Sequence, residues 1–346
     1  MTSVAGLHTP GTLDAGPLPE RRAAPRRCVI SVVIPCYNAG AHLVEALASI
    51  ESQRRPPDEI IFVDDGSTDD SAAIARAAGA RCLTTAGRRG PSAARNAGTR
   101  AARGDVVAFL DADDVWTPDH LERVIGLLER FPQAGVAFGR EQRIGLWAGE
   151  SPPSLPAEQP VDAFWPCLAG NPVPQMGVAV RRALLLALDG YDEALRYAED
   201  YDLWLRLAQL TPFVCTHAIT SLHRGHDAQA SRNAERIGRG AIEARHRLWQ
   251  AAEQWEPPTR ERMAAVLREG WEQYLSECWR ARDPGRFDGA LALRDRVPDS
   301  EPMYRRWARR RPLLPLYCAF TRLWDRLPSG TRAGMRWPLR RLLRLA

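Results

Sequence analysis

Between Cys28 and Leu110 the chain alternates short β-branched and apolar runs with amphipathic stretches, and this alternation restricts the fold more than any other feature. Val29–Pro35 is a β-branched run stopped by proline, as a strand buried on both faces should be. His42–Gln53 places Leu43, Leu47 and Ile50 on one helical face. Glu59–Val63 reads as a second buried strand, followed by a helix to about Gly79 and a short strand over Arg81–Thr84. A helix over Ser92–Arg103 and a strand over Asp105–Leu110 complete the series. Strands interleaved with helices at this spacing predict an α/β fold with a doubly wound, mostly parallel sheet.

Beyond this point the pattern loosens. Pro118–Arg130 reads as a helix, Gly135–Phe138 as a strand and Trp147–Pro166 as a proline-rich loop, with helices over Leu184–Leu188 and Ala198–Leu210. After about residue 236 no strand is expected: Met263, Val266, Leu267, Trp271, Tyr274, Leu275 and Cys278 recur at helical steps. The expected organisation is a disordered leader over 1–27, an α/β domain over 28–235 and a helical region with a basic tail over 236–346.

In open α/β sheets ligands bind beyond the carboxyl ends of the strands. Three strands here end in unusual polar residues: Pro35-Cys36-Tyr37-Asn38, the cluster Asp64–Asp69, and Asp111-Ala112-Asp113-Asp114. Three carboxylates within four residues repel one another, and an oxygen-seeking divalent cation such as Mg²⁺ or Mn²⁺ relieves that repulsion. In an extended segment Asp111 and Asp113 point to one side and can serve the same ion or its nucleotide. A solvated acidic turn, or a cap for the helix near Pro118, is the plain alternative.

Taken together, four segments resemble the family 2 glycosyltransferases of the GT-A fold. They are Val33–Asn38, Val63–Asp69, Ala94-Arg95-Asn96-Ala97-Gly98 and Phe109–Asp114. Gly190-Tyr191-Asp192-Glu193 with Glu199–Trp204 resembles that family's acceptor-side block, and Arg224–Ser231 its closing Arg-x-His-x-x-Gln-x-Ser segment. The likeness spans about residues 29–232. It implies that Pro35, Tyr37 and Asn38 line a nucleotide pocket and that Asp65, with Asp64, hydrogen-bonds the base. It also implies that Asp111 and Asp113, flanking Ala112, contact ribose and metal, Asp113 being the stronger metal ligand. Asp200 would be the general base, and His226 would complete the metal and diphosphate site. Without the resemblance, Glu199 and Asp200 would read as acids favouring a helix N-terminus, and His226 as a surface histidine.

The activity so implied is inverting, Mn²⁺- or Mg²⁺-dependent transfer of one sugar from a nucleotide-diphosphate sugar to an acceptor hydroxyl. UDP-linked donors are favoured, and the acceptor would be a glycan, a lipid-linked molecule or a protein in cell-surface polysaccharide or glycoconjugate synthesis. The family's processive members carry a Gln/Arg-x-x-Arg-Trp motif and flanking membrane spans, neither of which matches here. A sugar-phosphate nucleotidyltransferase would want a Gly-rich loop where Val33–Asn38 stands, and a non-catalytic nucleotide-sugar-binding protein would not need Asp111, Asp113, Asp200 and His226 together. Arg88 and Arg89 are within reach of a diphosphate or belong to a solvated loop.

Composition narrows the chemistry further. All 47 basic residues are arginine, so Schiff-base chemistry, pyridoxal-phosphate attachment and a P-loop are excluded. The seven cysteines are scattered without a Cys-x-x-Cys pair, which fits a reducing cytoplasm. Residues 301–346 hold 12 arginines against Glu301 and Asp325, leaving the rest of the chain net acidic. That distribution argues against a nucleic-acid groove and offers the tail for peripheral contact with the inner membrane face or for docking on protein.

Overall fold

Every residue of β1 (Ile30–Cys36) is buried, because the strand lies inside a nine-stranded sheet with helices against both of its faces. Parallel neighbours flank it, β2 (Glu59–Asp64) on one side and β4 (Val106–Phe109) on the other, and β3 (Arg81–Thr84) continues in parallel beyond β2. Three helices make the crossovers: α1 (Gly40–Glu51), α2 (Ser71–Ala77) and α3 (Pro91–Ala101). Side chains alternate across a strand. Val32 and Ile34 accordingly share one core with Leu43, Leu47 and Ile50 of α1, while Val33 faces α3. The approach of α3 requires glycine at position 98, where a Cβ would lie 2.4 Å from Val33 Cγ1. The structure is a computed structural model and describes residues 27–146, 148–226 and 234–314.

The other half of the sheet is mixed. It contains β5 (Val115–Trp116), β6 (Val136–Gly145), β7 (Gly149–Glu150), β8 (Val178–Arg181) and β9 (Phe213–Gly225), in the overall order β3-β2-β1-β4-β8-β6-β9-β5, with β7 on β6. β8 runs antiparallel to both β4 and β6, β9 pairs parallel to β6, and β5 pairs antiparallel to β9. The parallel arrangement expected from sequence therefore holds for β1–β4 and gives way beyond them. β8 and β9 escape a pattern reading for different reasons. β8 has four residues and runs directly into α6 (Arg182–Ala187), and β9 interrupts its apolar start with Thr, His and Ser.

α4 (His120–Arg130) packs Leu121, Val124, Ile125 and Leu128 into the α1 side of the core. The proline-rich segment is irregular over 151–163 but pinned: Ser151 Oγ donates to Glu141 O, Ser154 Oγ to Pro172 O, and Val161 bridges Phe213. It leads into α5 (Phe164–Ala169); α7 (Glu199–Leu207) follows α6. Trp147 lies outside the described residues.

The chain divides into two compact units, 1–232 and 233–346. The second consists of α8 (Ala234–Ala251), α9 (Pro257–Arg280), α10 (Pro284–Leu291) and α11 (Glu301–Arg310). Its aromatic core is edge-packed, with Trp279, Phe287 and Trp307 in mutual contact and Trp271 Nε1 donating to Ala290 O at 2.8 Å. Apart from Arg27, the leader lies outside the described residues, as does the tail beyond Leu314. Among the described residues no helix is long and apolar enough to cross a membrane.

Candidate active site

The ends of β1 and β2 are registered side by side, Pro35 against Val63 and Cys36 against Asp64, so their following turns meet. Asn38 adopts φ 51°, a left-handed conformation that asparagine tolerates better than most residues. Its Oδ1 accepts from Thr68 N–H at 2.8 Å, and its own N–H donates to Ser67 Oγ at 3.0 Å. Asp64 Oδ1 accepts from Ser67 N–H, tightening the same turn. Asp65 is 4% exposed and takes three donors: Thr85 Oγ1 at 2.7 Å, Arg89 N–H at 2.9 Å and Gly90 N–H at 2.7 Å. One carboxylate thereby draws the 85–90 loop against the strand ends. Tyr37 is 38% exposed, and the Arg88 guanidinium lies 4.0 Å from its ring centroid, a cation–π stack at the mouth of this region. Arg89 instead pairs with Glu193 at 2.8 Å.

The acidic turn after β4 splits its carboxylates three ways. Asp111 Oδ1 receives Arg95 at 2.8 Å, Asp113 Oδ2 lies 2.9 Å from His226 Nε2, and Asp114 Oδ1 accepts from Arg224 N–H at 2.8 Å. Asp114 is fully enclosed; burial, together with Asp113 and Asp111, pushes its carboxyl well above the usual range. Arg224 also donates through Nε to Asp113 O and pairs with Glu45, so the end of β9 is stitched to this turn. Ala112, 5% exposed, lies between Asp111 and Asp113 in sequence and belongs to the hydrophobic core beneath the turn.

Among the described residues no three His, Cys, Asp or Glu side chains gather into a preformed metal cluster. Asp113 and His226 nevertheless supply a carboxylate oxygen and an imidazole nitrogen at one point. That pair fits Mn²⁺ or Mg²⁺, which commonly take one or two protein ligands and complete their shell with substrate phosphates and water. Asp111 is turned from that point toward Arg95, which suits it to the nucleotide side of the site.

Arg95 is the hub. It projects from α3 almost wholly buried, with one arm on Asp111 and the other on Glu199 Oε1 at 3.0 Å. Burial alone would depress its pKa, but Asp111, Tyr191 and Glu199 together outweigh that and hold it above its ordinary value. Asn96, next along the helix, donates to Tyr191 O and Glu193 Oε1 and accepts from Tyr191 N–H. Gly190 is needed there: its φ is +70°, and a Cβ would lie 2.2 Å from Asn96 Oδ1. Through these bonds α3 fixes the turn that leads into α7. Glu199, Asp200 and Asp202 occupy the first turn of α7, where the helix dipole favours acids.

Asp200 is half-buried, and Asn171 Nδ2 donates to its Oδ2 at 3.0 Å. Burial, with Glu199 adjacent, pushes the Asp200 carboxyl up to about 6, against opposing pulls from the Tyr201 amide, Arg95 and Asn171. A carboxylate so placed accepts a proton near neutral pH while remaining largely ionised at pH 7. Tyr201 and Trp204 face the core, Tyr201 donating to Leu168 O, so neither presents a stacking surface. His217 contacts Leu155 O, and His223 lies 3.5 Å from Glu141.

The residues singled out from sequence thus form two groups within one unit: Pro35, Tyr37, Asn38, Asp64 and Asp65 at the β1–β2 end, and Asp111, Ala112, Asp113 and His226 at the β4 end. Asp200 is tied to the second group through Glu199 and Arg95. Arg95 stands in the sequence within the Ala94–Gly98 segment but with no role attached to it, although a lone arginine among Ala93, Ala94 and Ala97 is a detectable signal; Asn171, between Gly170 and Pro172, looks like any turn residue.

Comparison with known proteins points to glycosyltransferases. Residues 31–174 match the model of Glycosyl transferase family 2. An uncharacterized glycosyltransferase of Rickettsia typhi is 27% identical over 60% of this chain and 67% of its own length. The O-antigen biosynthesis protein RfbC of Myxococcus xanthus is 31% identical over 60% of this chain but only 17% of that protein. Among solved structures, S. aureus TarS 1-349 in complex with UDP-GlcNAc superposes with a TM-score of 0.63 at 19% identity, covering 84% of this chain and 87% of that TarS segment. The mannosyltransferase PcManGT of Pyrobaculum calidifontis, in complex with GDP-Man and Mn²⁺, gives 0.55 at 19% identity, covering 88% and 89%. At this identity the structural likeness is one of fold.

Proposed function

We propose that this chain, which carries a family 2 glycosyltransferase domain and is a glycosyltransferase of the GT-A fold, moves a single sugar from a nucleotide-diphosphate sugar to an acceptor hydroxyl with inversion. The observation that carries this reading is the buried Arg95 bridge, which joins Asp111 of the nucleotide side to the helix bearing Asp200. One carboxylate base beside a nucleotide-binding acidic turn suits direct displacement, whereas a glycosidase needs two carboxyl groups flanking the bond.

In this reading the β1 and β2 ends cradle the nucleoside, with Tyr37 and Arg88 presenting flat surfaces to the base and Asp111 facing the ribose. Asp113 and His226 would hold Mn²⁺ or Mg²⁺, whose charge neutralises the departing diphosphate. Asp200 accepts the proton of the acceptor hydroxyl as that oxygen attacks the anomeric carbon. The donors in the TarS and PcManGT complexes support a nucleotide sugar, UDP-linked being favoured, and the RfbC relative supports a cell-surface polysaccharide acceptor. Residues 28–235 would form the catalytic domain and 236–346 a helical accessory region, whose arginine-rich end suits peripheral contact with anionic lipid.

Asp200→Asn tests the assignment. Transfer should fall by at least about 100-fold, the usual contribution of a general base, while nucleotide affinity stays within about twofold. Retained transfer would remove Asp200 from the mechanism.

A further inference from the structure

We infer that Asn171 is a positioning residue for the base: its side-chain amide aims Asp200 and helps keep that carboxylate ionised to lower pH. This rests on the reading of Asp200 as the base.

Both ends of the Asn171 amide are committed. Nδ2 donates to Asp200 Oδ2 at 3.0 Å, and Oδ1 accepts from Val173 N–H at 3.3 Å. Reversing the amide would set its oxygen against a carboxylate and its NH₂ against a backbone N–H, so the surroundings enforce one orientation. The loop that carries Asn171 is itself anchored. Val173 is 2% exposed, and Ser154 Oγ donates to Pro172 O at 3.0 Å. The amide is therefore presented from a fixed backbone.

Asn171 acts on a carboxylate balanced between opposing influences. Glu199, on the same helix, disfavours its charge, and Arg95 from α3 favours it. Tyr191, from the turn before α7, is held neutral by burial, and α5 contributes only the buried, neutral thiol of Cys167. Arg95 is already shared between Asp111 and Glu199. Asn171 is thus the side-chain donor dedicated to the ionised form of Asp200. The bond restrains rotation of the carboxylate about its χ2 while the remaining lone pairs of the group can receive the acceptor proton. Among the described residues the Asn171 side chain bonds to Asp200 and to the Val173 amide, neither of which belongs to the proposed donor pocket, so its effect should fall on turnover and not on donor affinity.

The test is the pH profile of kcat at saturating donor and Mn²⁺, for the full chain and its Asn171→Ala and Asn171→Asp variants. Removing the donor should move the acid limb upward by roughly 0.5–1 unit, and a second carboxylate should move it further, by about 1–2 units. At pH 6 this is a loss of roughly 2–5-fold for Ala and more for Asp, over and above any pH-independent loss. Donor affinity, measured by titration calorimetry across the same pH range, should be unchanged. If Asn171→Ala fails to fold, Asn171→Ser against Asn171→Asp gives the same comparison, because serine retains a donor. Coincident acid limbs in all variants would overturn the positioning role, as would a change confined to donor affinity. Asp200→Asn separates the two readings: an active variant overturns the base, whereas an inactive one with coincident Asn171 limbs overturns only Asn171.

Discussion

Arg95→Met offers the sharpest energetic test, since it removes a buried cation and leaves two carboxylates facing an apolar side chain. Removing one partner of a buried ion pair costs about 3–5 kcal/mol. Here the Arg95 side chain is 6% exposed, but Asp111 and Glu199 retain 24% and 14%, so water can reach the orphaned acids and relieve part of the penalty. A loss of about 2–4 kcal/mol is expected, which for a domain of this size lowers Tm by roughly 5–15 °C. Urea denaturation of the wild type, Arg95→Met, Glu199→Gln and the double variant closes a thermodynamic cycle. Because Glu199→Gln neutralises one stranded acid, the double variant should recover about 1–2 kcal/mol relative to additivity. A single-variant cost below about 1 kcal/mol, or strict additivity, would refute the idea that Arg95 binds the two halves of the site together.

Two further outcomes follow from the same structure. His226→Ala should weaken nucleotide binding by about 10–100-fold with Mn²⁺ present and leave metal-free binding unaltered, as read by titration calorimetry; equal Mn²⁺ enhancement in both proteins would exclude the Asp113–His226 site. Burial beside Trp116 holds His120 near 3, below its ordinary 6.5, so the unfolded chain binds a proton that the folded chain refuses. Stability should therefore fall as pH drops from about 6.5 toward 3, by up to about 1.4 kcal/mol per unit, and His120→Phe should flatten that slope in urea titrations; parallel slopes would show that His120 is not responsible.

The β1–β4 half of the fold is legible because its central strands, β1 and β4, are buried on both faces. Ile30, Val32, Val33 and Ile34 announce β1 without reference to any distant residue, and the turn residues that follow mark its carboxyl end. The mixed half of the sheet depends on partners far along the chain. Phe213–Gly225 buries its side chains irregularly because its register against β6 shifts midway and β5 joins its other edge only at Ser221 and Leu222, so no single period describes it. The candidate site divides in the same manner. Its acidic residues sit in local motifs that can be read directly, but the Arg95–Glu199 bond spans 104 residues and Asn171–Asp200 spans 29, so their pairing is a property of the packed chain. Asp65 illustrates a different limit: its sequence context suggests a ligand contact, whereas its three intramolecular donors reveal that it also builds the loop beside the pocket.

The hydrogen bond from Arg224 N–H to Asp114 spans 110 residues, and it has a consequence for how the protein is born. At typical rates of synthesis, roughly 5–20 s separate the emergence of the acidic turn from that of the strand that closes it. During that interval β1–β4 can already pair, while Asp111, Asp113 and Asp114 have neither His226 nor the β9 backbone beside them. A nascent chain would complete the β1–β4 sheet, the proposed nucleoside side, before it could assemble the Asp113–His226 pair proposed to hold the cation. Ribosome-stalled chains long enough to carry His226 clear of the exit tunnel should therefore differ from shorter ones, in which it is still enclosed, in metal response more than in secondary structure.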